Sequence, residues 1–188
     1  MKNLRIFTTL CLFLITVNLV IGQNEMADTK MVGGAEMYPS KNIVENAVNS
    51  KDHTTLVAAV KAAELVDVLK SDGPFTVFAP TNTAFEDLPA GTVETLLKEE
   101  NQKKLQAVLT YHVLAGDYEA SDIVSAIKKG NGKASFETVN GGKISAMLDG
   151  DEVKLKDAAG NVATVTIADV DQSNGVIHVI DSVLLPAK

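Results

Sequence analysis

The stretch Asn174-Gly175-Val176-Ile177-His178-Val179-Ile180-Asp181-Ser182-Val183-Leu184-Leu185-Pro186 is apolar at nearly every position of its middle instead of at alternate ones. The turn signal Ser173-Asn174-Gly175 opens it and Pro186 closes it, so the pattern predicts a β-strand. A strand with no polar face must be covered on both sides, which places it in the middle of a sheet. Phe75-Thr76-Val77-Phe78-Ala79 is β-branched and aromatic and predicts another strand, ended by Pro80. Thr81 or Asn82 then caps a short helical turn carrying Ala84 and Phe85.

Helical spacing fills most of the region between 39 and 130. Ser40 is placed to cap a short helix with Ile43, Val44 and Ala47. Leu56, Ala59, Val60 and Ala63 form one stripe, and the stripe restarts with Leu65, Val66, Val68 and Leu69. That phase shift near Glu64 predicts two helices meeting at an angle. Residues 92–109 predict one more helix, through Val93, Leu96, Leu97, Leu105, Val108 and Leu109. Tyr111-His112-Val113-Leu114 reads as a short strand, and Ser121 as the cap of a last helix with Ile123, Val124 and Ile127.

After Gly130 the period changes from helical to alternating. Runs at 134–139, 143–148, 152–156 and 162–168 are divided by Asn140-Gly141-Gly142, Asp149-Gly150-Asp151 and Ala159-Gly160-Asn161. Short strands joined by such turns predict an antiparallel meander. Helices with two strands, then a meander and a returning central strand, make the chain α+β.

With 188 residues, 46% of them hydrophobic, the chain has room for one domain and a leader. Residues 1–22 carry Lys2 and Arg5 ahead of an apolar run, the pattern of a secretory signal peptide. Residues 23–38 are polar and glycine-containing and read as a flexible linker, leaving 39–188 as the folded domain. Cys11, the chain's single cysteine, falls in the leader, so packing and not disulfides must stabilise the exported chain. Losing Lys2 and Arg5 takes the formal charge from −7 to −9, with 15 basic against 24 acidic residues. That acidity argues against nucleic acid or anionic membrane as a partner.

The candidate chemistry is sparse. His112 and His178 lie in apolar strands, where a histidine is ordinarily neutral and hydrogen-bonded. Asp169-Val170-Asp171-Gln172-Ser173-Asn174-Gly175 has its glycine one place late for a calcium loop and no closing glutamate, so it reads as a turn between strands. There is no nucleophile elbow, no His-Glu-x-x-His and no phosphate loop, so no catalytic residue, metal or cofactor is expected.

Three segments together resemble the fasciclin (FAS1) domain family: Gly73-Pro74-Phe75-Thr76-Val77-Phe78-Ala79-Pro80-Thr81-Asn82, then Tyr111-His112, then Asn174-Gly175-Val176-Ile177-His178-Val179-Ile180-Asp181 with Val183-Leu184-Leu185-Pro186. They occur in the family's order over about 40–186, in a chain of the bacterial secreted single-domain type. The resemblance implies a wedge-shaped β-sandwich, an antiparallel meander plus central strands, with helices packed against it. It also implies a non-enzymatic adhesion or matrix-contact role in a secreted, extracellular or periplasmic protein. Family adhesion attributed to the Tyr-His region and to an Asp-Ile pair maps here to Tyr111 and His112, and to Asp169-Val170, where valine replaces isoleucine. These four form the expected binding patch, for an extracellular protein or glycan, while Thr81, Asn82 and His178 are expected to be structural. The expected chain is a monomer or weak oligomer that does not insert in a membrane once the signal is removed. The rival functions are a carrier of a small apolar ligand, held in a pocket between helices and sheet, and an extracellular hydrolase, for which no convergent residues are spaced.

Overall fold

The computed structural model describes residues 29–187. The signal segment 1–22 and residues 23–28 of the expected linker lie outside the described residues. The strands are β1 (Lys30–Val32), β2 (Ala35–Met37), β3 (Phe75–Pro80), β4 (Val113–Ala115), β5 (Lys133–Glu137), β6 (Lys143–Asp149), β7 (Glu152–Lys156), β8 (Val162–Gln172) and β9 (Gly175–Ile180). The helices are α1 (Ile43–Ala47), α2 (Thr54–Ala62), α3 (Val66–Lys70), α4 (Asn82–Glu86), α5 (Thr92–Leu96), α6 (Gln102–Tyr111) and α7 (Ala120–Lys129).

β9 lies inside a seven-stranded sheet of order β4-β3-β9-β8-β7-β6-β5. It pairs parallel with β3 from Phe75 opposite Gly175 to Pro80 opposite Ile180, and antiparallel with β8 on its other side. The strand is thus central, as its unbroken apolar run requires. Alternation sends its residues to two cores. Ile177 and Val179, with Val77 and Ala79 of β3, face the helices and pack with Leu56, Val60, Leu69 and Leu109. Ile180 and Phe78 face the interior of the curled sheet, with Ile123 and Ile127 of α7, Ile144 and Leu155.

The two layers of the expected sandwich are one continuous ladder. β8 passes from one layer to the other: its residues 162–164 pair with β7 and its residues 165–172 with β9. The register shifts between Val165 and Ile167 and again between Ile167 and Val170, and such bulges bend a strand. The sheet curls until Val139, just past β5, donates its N–H to the Val113 carbonyl of β4 at 2.8 Å, so it nearly closes. Gly175 has φ +145°, and a Cβ there would run into the Phe75 carbonyl, so only glycine lets β9 start beside β3.

Several local expectations are corrected. The linker does not extend through 30–37: β1 and β2 form a hairpin, with Gly33 and Gly34 at φ 58° and 75° supplying its turn. Val32 and Met37 are buried in the helical-side core, so the hairpin belongs to the domain. Asn42, not Ser40, caps α1, accepting from Glu45 N while the Glu45 carboxylate accepts from Asn42 N. α7 starts from Glu119, whose N–H bonds the Asp122 carboxylate at 3.3 Å, and not from Ser121. The helix expected over 92–109 is broken into α5, a 3₁₀ turn at Glu99–Asn101 and α6. Lys98 to Lys104 contains no apolar side chain, so that turn has nothing to bury and its backbone leaves the α-helix. Finally, Tyr111 ends α6 and the strand begins only at Val113.

Other expectations hold. Glu64, at φ 57°, separates α2 from α3, and Thr81 caps α4 through the Ala84 N–H. Because the hairpin closes the helical-side core, Val32→Asp should cost several kcal/mol, about 3 or more, in urea-denaturation stability. A change within about 0.5 kcal/mol would mean that the segment behaves as a tether.

Candidate functional site

The residues singled out by sequence lie mostly inside the molecule. Tyr111 and Val170 are 0% and 1% exposed, and His112 is 3% exposed. Of the four patch residues only Asp169 reaches solvent, with its side chain 34% exposed. The expected patch is therefore not an exposed surface, and each of its residues has a structural task.

Tyr111 reaches across the interior of the curled sheet. Its hydroxyl donates to the Lys143 carbonyl at 2.7 Å and accepts from the Ala158 N–H at 3.0 Å, tying the end of α6 to β6 and to the turn after β7. Burial pushes its pKa up, so the hydroxyl stays protonated and keeps both bonds. Gly142 is packed against this ring, and a Cβ there would meet the Tyr111 ring edge.

His112 closes the other side of the same junction. Its Nδ1 lies 2.8 Å from the Val108 carbonyl and its Nε2 accepts from the Leu184 N–H at 2.9 Å. A carbonyl only accepts and an amide N–H only donates, so the ring is neutral with the proton on Nδ1. Burial lowers its pKa to about 4, against the opposing pull of the Val108 carbonyl and Asp157. The ring takes the Val108 carbonyl while the His112 N–H turns to the Leu109 carbonyl, so His112 caps the end of α6, which runs one residue into the expected strand.

His178 braces the opposite region. It stacks on Phe78, its partner in the parallel register, with ring centroids 5.7 Å apart. Its Nε2 donates to the Tyr118 carbonyl at 2.8 Å and its Nδ1 accepts from the Asp169 N–H at 3.2 Å. Burial lowers this histidine's pKa as well, and the Tyr118 carbonyl and Asp169 oppose that effect. Asp169 sits at φ 56° in the β8 bulge, and its carboxylate accepts from Ala120 N at 2.6 Å at the start of α7. Asp169 and Val170 thus belong to a bulged strand, and the turn expected across 169–175 is confined to Ser173 and Asn174. Asn82 accepts from Thr55 N and donates to the Lys51 carbonyl, which joins α4 to the start of α2.

Other polar residues of equal weight escaped sequence reasoning. Asn174 accepts from Ile43 N and donates to the Leu69 and Ser71 carbonyls, so one side chain joins α1, α3 and the β8–β9 turn. Asn46, fully buried, bonds both backbone groups of Tyr38 and the Gln172 side chain. Its place three residues after Ile43, on the apolar stripe of α1, was the available signal. Asp157 accepts from Leu185 N, Asn161 N and the Asn161 side chain. Among the described residues, no group of three or more His, Cys, Asp or Glu is placed to hold a metal ion.

The molecule is thus an α+β scaffold, a curled seven-stranded sheet with helices against it, whose buried polar residues serve as internal braces. A Fasciclin domain profile matches residues 51–186, and the chain belongs to the fasciclin-domain family. Fasciclin-domain proteins are non-enzymatic binding and adhesion proteins. Protein sll1483 of Synechocystis is 46% identical over 170 residues, which cover 88% of this chain and 87% of that protein. The cell surface glycolipoprotein MPB83 of Mycobacterium bovis is 32% identical over 145 residues, 74% of this chain and 58% of that one. The structure of a FAS1 domain pair from the insect cell adhesion molecule Fasciclin I matches with a TM-score of 0.70 at 19% identity, a likeness of fold. That match covers 79% of this chain, which spans 52% of the domain pair. No helix among the described residues is long and apolar enough to cross a membrane.

Two outcomes follow for the braces. Tyr111→Phe leaves the Lys143 carbonyl and the Ala158 N–H without partners and should cost about 1–3 kcal/mol in urea denaturation. His112 binds its proton more weakly in the folded than in the unfolded chain, so it contributes stability above its ordinary pKa of 6.5 that is lost as pH falls towards about 4. Denaturation at steps across that window should show a loss of about 3 kcal/mol from this residue. His112→Gln should remove most of that slope, while starting from a lower stability at neutral pH; an unchanged slope would assign it to other groups.

Proposed function

We propose that this chain is a secreted or surface-associated adhesion domain that makes contacts between a cell and its surroundings through an extracellular protein or glycan. Membership of the fasciclin-domain family carries the reading. It is supported by the mycobacterial relative, a cell surface glycolipoprotein, and by the insect protein of the same fold, a cell adhesion molecule. The acidic chain, at a net charge of −7, fits protein or glycan partners better than nucleic acid.

The contact surface is the outer face of the β1–β2 hairpin. Met31 is 61% exposed and pairs across the hairpin with Glu36. The Tyr38 hydroxyl donates to the Glu36 carboxylate at 2.5 Å, and the Lys41 ammonium lies 4.7 Å from the Tyr38 ring centroid. An exposed methionine beside a tyrosine held by neighbours is the residue chemistry that anchors protein contacts. A patch this small binds weakly, so attachment requires many copies at a surface.

Beads carrying the domain at high density should attach to a defined set of matrix proteins or glycans on an array, where the free domain does not, with a gain of about 10²-fold or more. Met31→Glu with Tyr38→Ala should abolish bead attachment without altering thermal unfolding. Val162→Glu, at an exposed position in β8, should have no effect. No attachment at any density would remove the adhesive reading; attachment indifferent to Met31 and Tyr38 would move the surface elsewhere.

A further inference from the structure

The helical side of the domain contains a cavity of about 230 Å³. α1, α2 and α3 form one wall, and β3, β9 and the end of α6 form the other. Such a space exceeds the ~150 Å³ cavity that accommodates benzene and falls short of the ~300 Å³ at which drug-sized pockets begin. It suits a small molecule of one ring or a medium-length chain.

The wall is made almost wholly of aliphatic and aromatic side chains, Val60, Leu69 and Val77 among them. Val48, Val68 and Val139, three of the large apolar residues left about half exposed, also belong to it. An apolar interior therefore continues to an apolar rim in contact with water, where a closed core would present polar residues. Apolar surface held in water is unfavourable in proportion to its area, and an occupant spanning rim and interior would relieve it.

Charge on the lining is one-sided. Lys61 and Lys70, both exposed, are its charged residues, and no Asp or Glu joins them although acids outnumber bases in the chain by 24 to 17. His53 and His112 also line the space, but burial lowers the pKa of both rings. His53 Nδ1 is taken by the Ser50 hydroxyl, and its Nε2 makes no hydrogen bond of good geometry among the described residues.

We propose that this cavity is a binding site for a small apolar carboxylic acid, its hydrocarbon part between α1–α3 and the β3–β9 pair and its carboxylate at Lys61 and Lys70. The site borders the hairpin's inner residues Val32 and Met37 but uses none of its outer face, and it does not depend on adhesion. Removing a chain of about eight methylenes from water provides enough driving force for a measurable affinity after the cost of immobilisation.

Calorimetric titration with decanoate and with decanol tests it, with amide NMR shifts on the same samples. Decanoate should bind one to one and shift resonances of Ala47, Val57, Val66 and Val139, and decanol should bind about five-fold more weakly or worse. Val57→Trp, at a half-buried lining position, should fill the space and weaken decanoate by about ten-fold or more. Ala47→Leu serves the same purpose if the tryptophan variant does not fold. Lys61→Ala with Lys70→Ala should weaken decanoate and leave decanol unchanged. Phosphatidylglycerol vesicles test whether the lysines serve a membrane surface instead. The proposal is overturned by no saturable decanoate binding, by binding insensitive to both cavity-filling variants, by equal loss of decanoate and decanol in the lysine variant, or by vesicle binding that needs the lysines but not the cavity.

Discussion

The pairing of β3 with β9 is the constraint from which the rest of the domain follows. These strands are adjacent in the sheet although nearly a hundred residues separate them in the chain, and they run parallel, which demands a long connection. That connection supplies α4 to α7, the meander and β8. Because both faces of the pair are covered, it serves two cores at once: Val77, Ala79, Ile177 and Val179 seat the helices, and Phe78 and Ile180 seat the curled sheet. A substitution in either strand is felt on whichever side its residue faces.

A domain stapled at one central pair still has to hold its periphery, and its single cysteine, Cys11, rules out an internal disulfide. Buried polar side chains take that role by bonding to backbone groups far away in sequence. His112 holds the C-terminal tail at Leu184, His178 holds the bulge at Asp169 against Tyr118, and Asn174 gathers α1 and α3. Each of these bonds satisfies a backbone group that folding removes from water, and leaving such a group unpaired costs about 1–3 kcal/mol. A family motif therefore need not mark a contact surface. The Tyr-His pair is a clamp, and its neutral histidine makes the clamp sensitive to acid.

The outside and the inside of this scaffold are open to different uses. The hairpin's outer face leaves Met31 in water, while the helical side holds an apolar space with Lys61 and Lys70 among its lining residues. Separation is possible because the hairpin buries Val32 and Met37 on its inner face and leaves the alternate positions outward.

Periodicity determined much by itself. The unbroken apolar run of β9 required a central strand, the alternating runs after Gly130 required a meander, and the phase shift at Glu64 required two helices. These are local consequences of burying one face, both faces or a stripe, so they can be read without knowing the partner. What the sequence left undecided depended on partners distant along the chain. The Gly33-Gly34 stretch became a hairpin because the core had room for Val32 and Met37. Residues 92–109 broke because Lys98 to Lys104 carries no apolar side chain to bury. Tyr111, His112 and Val170 turned from expected contacts into internal braces because the backbone groups they satisfy, at Lys143, Ala158 and Leu184, or the core they fill, arrive only when the sheet curls. Side-chain type sets what a residue can bond, and tertiary structure alone decides whether water or the protein is there to bond it.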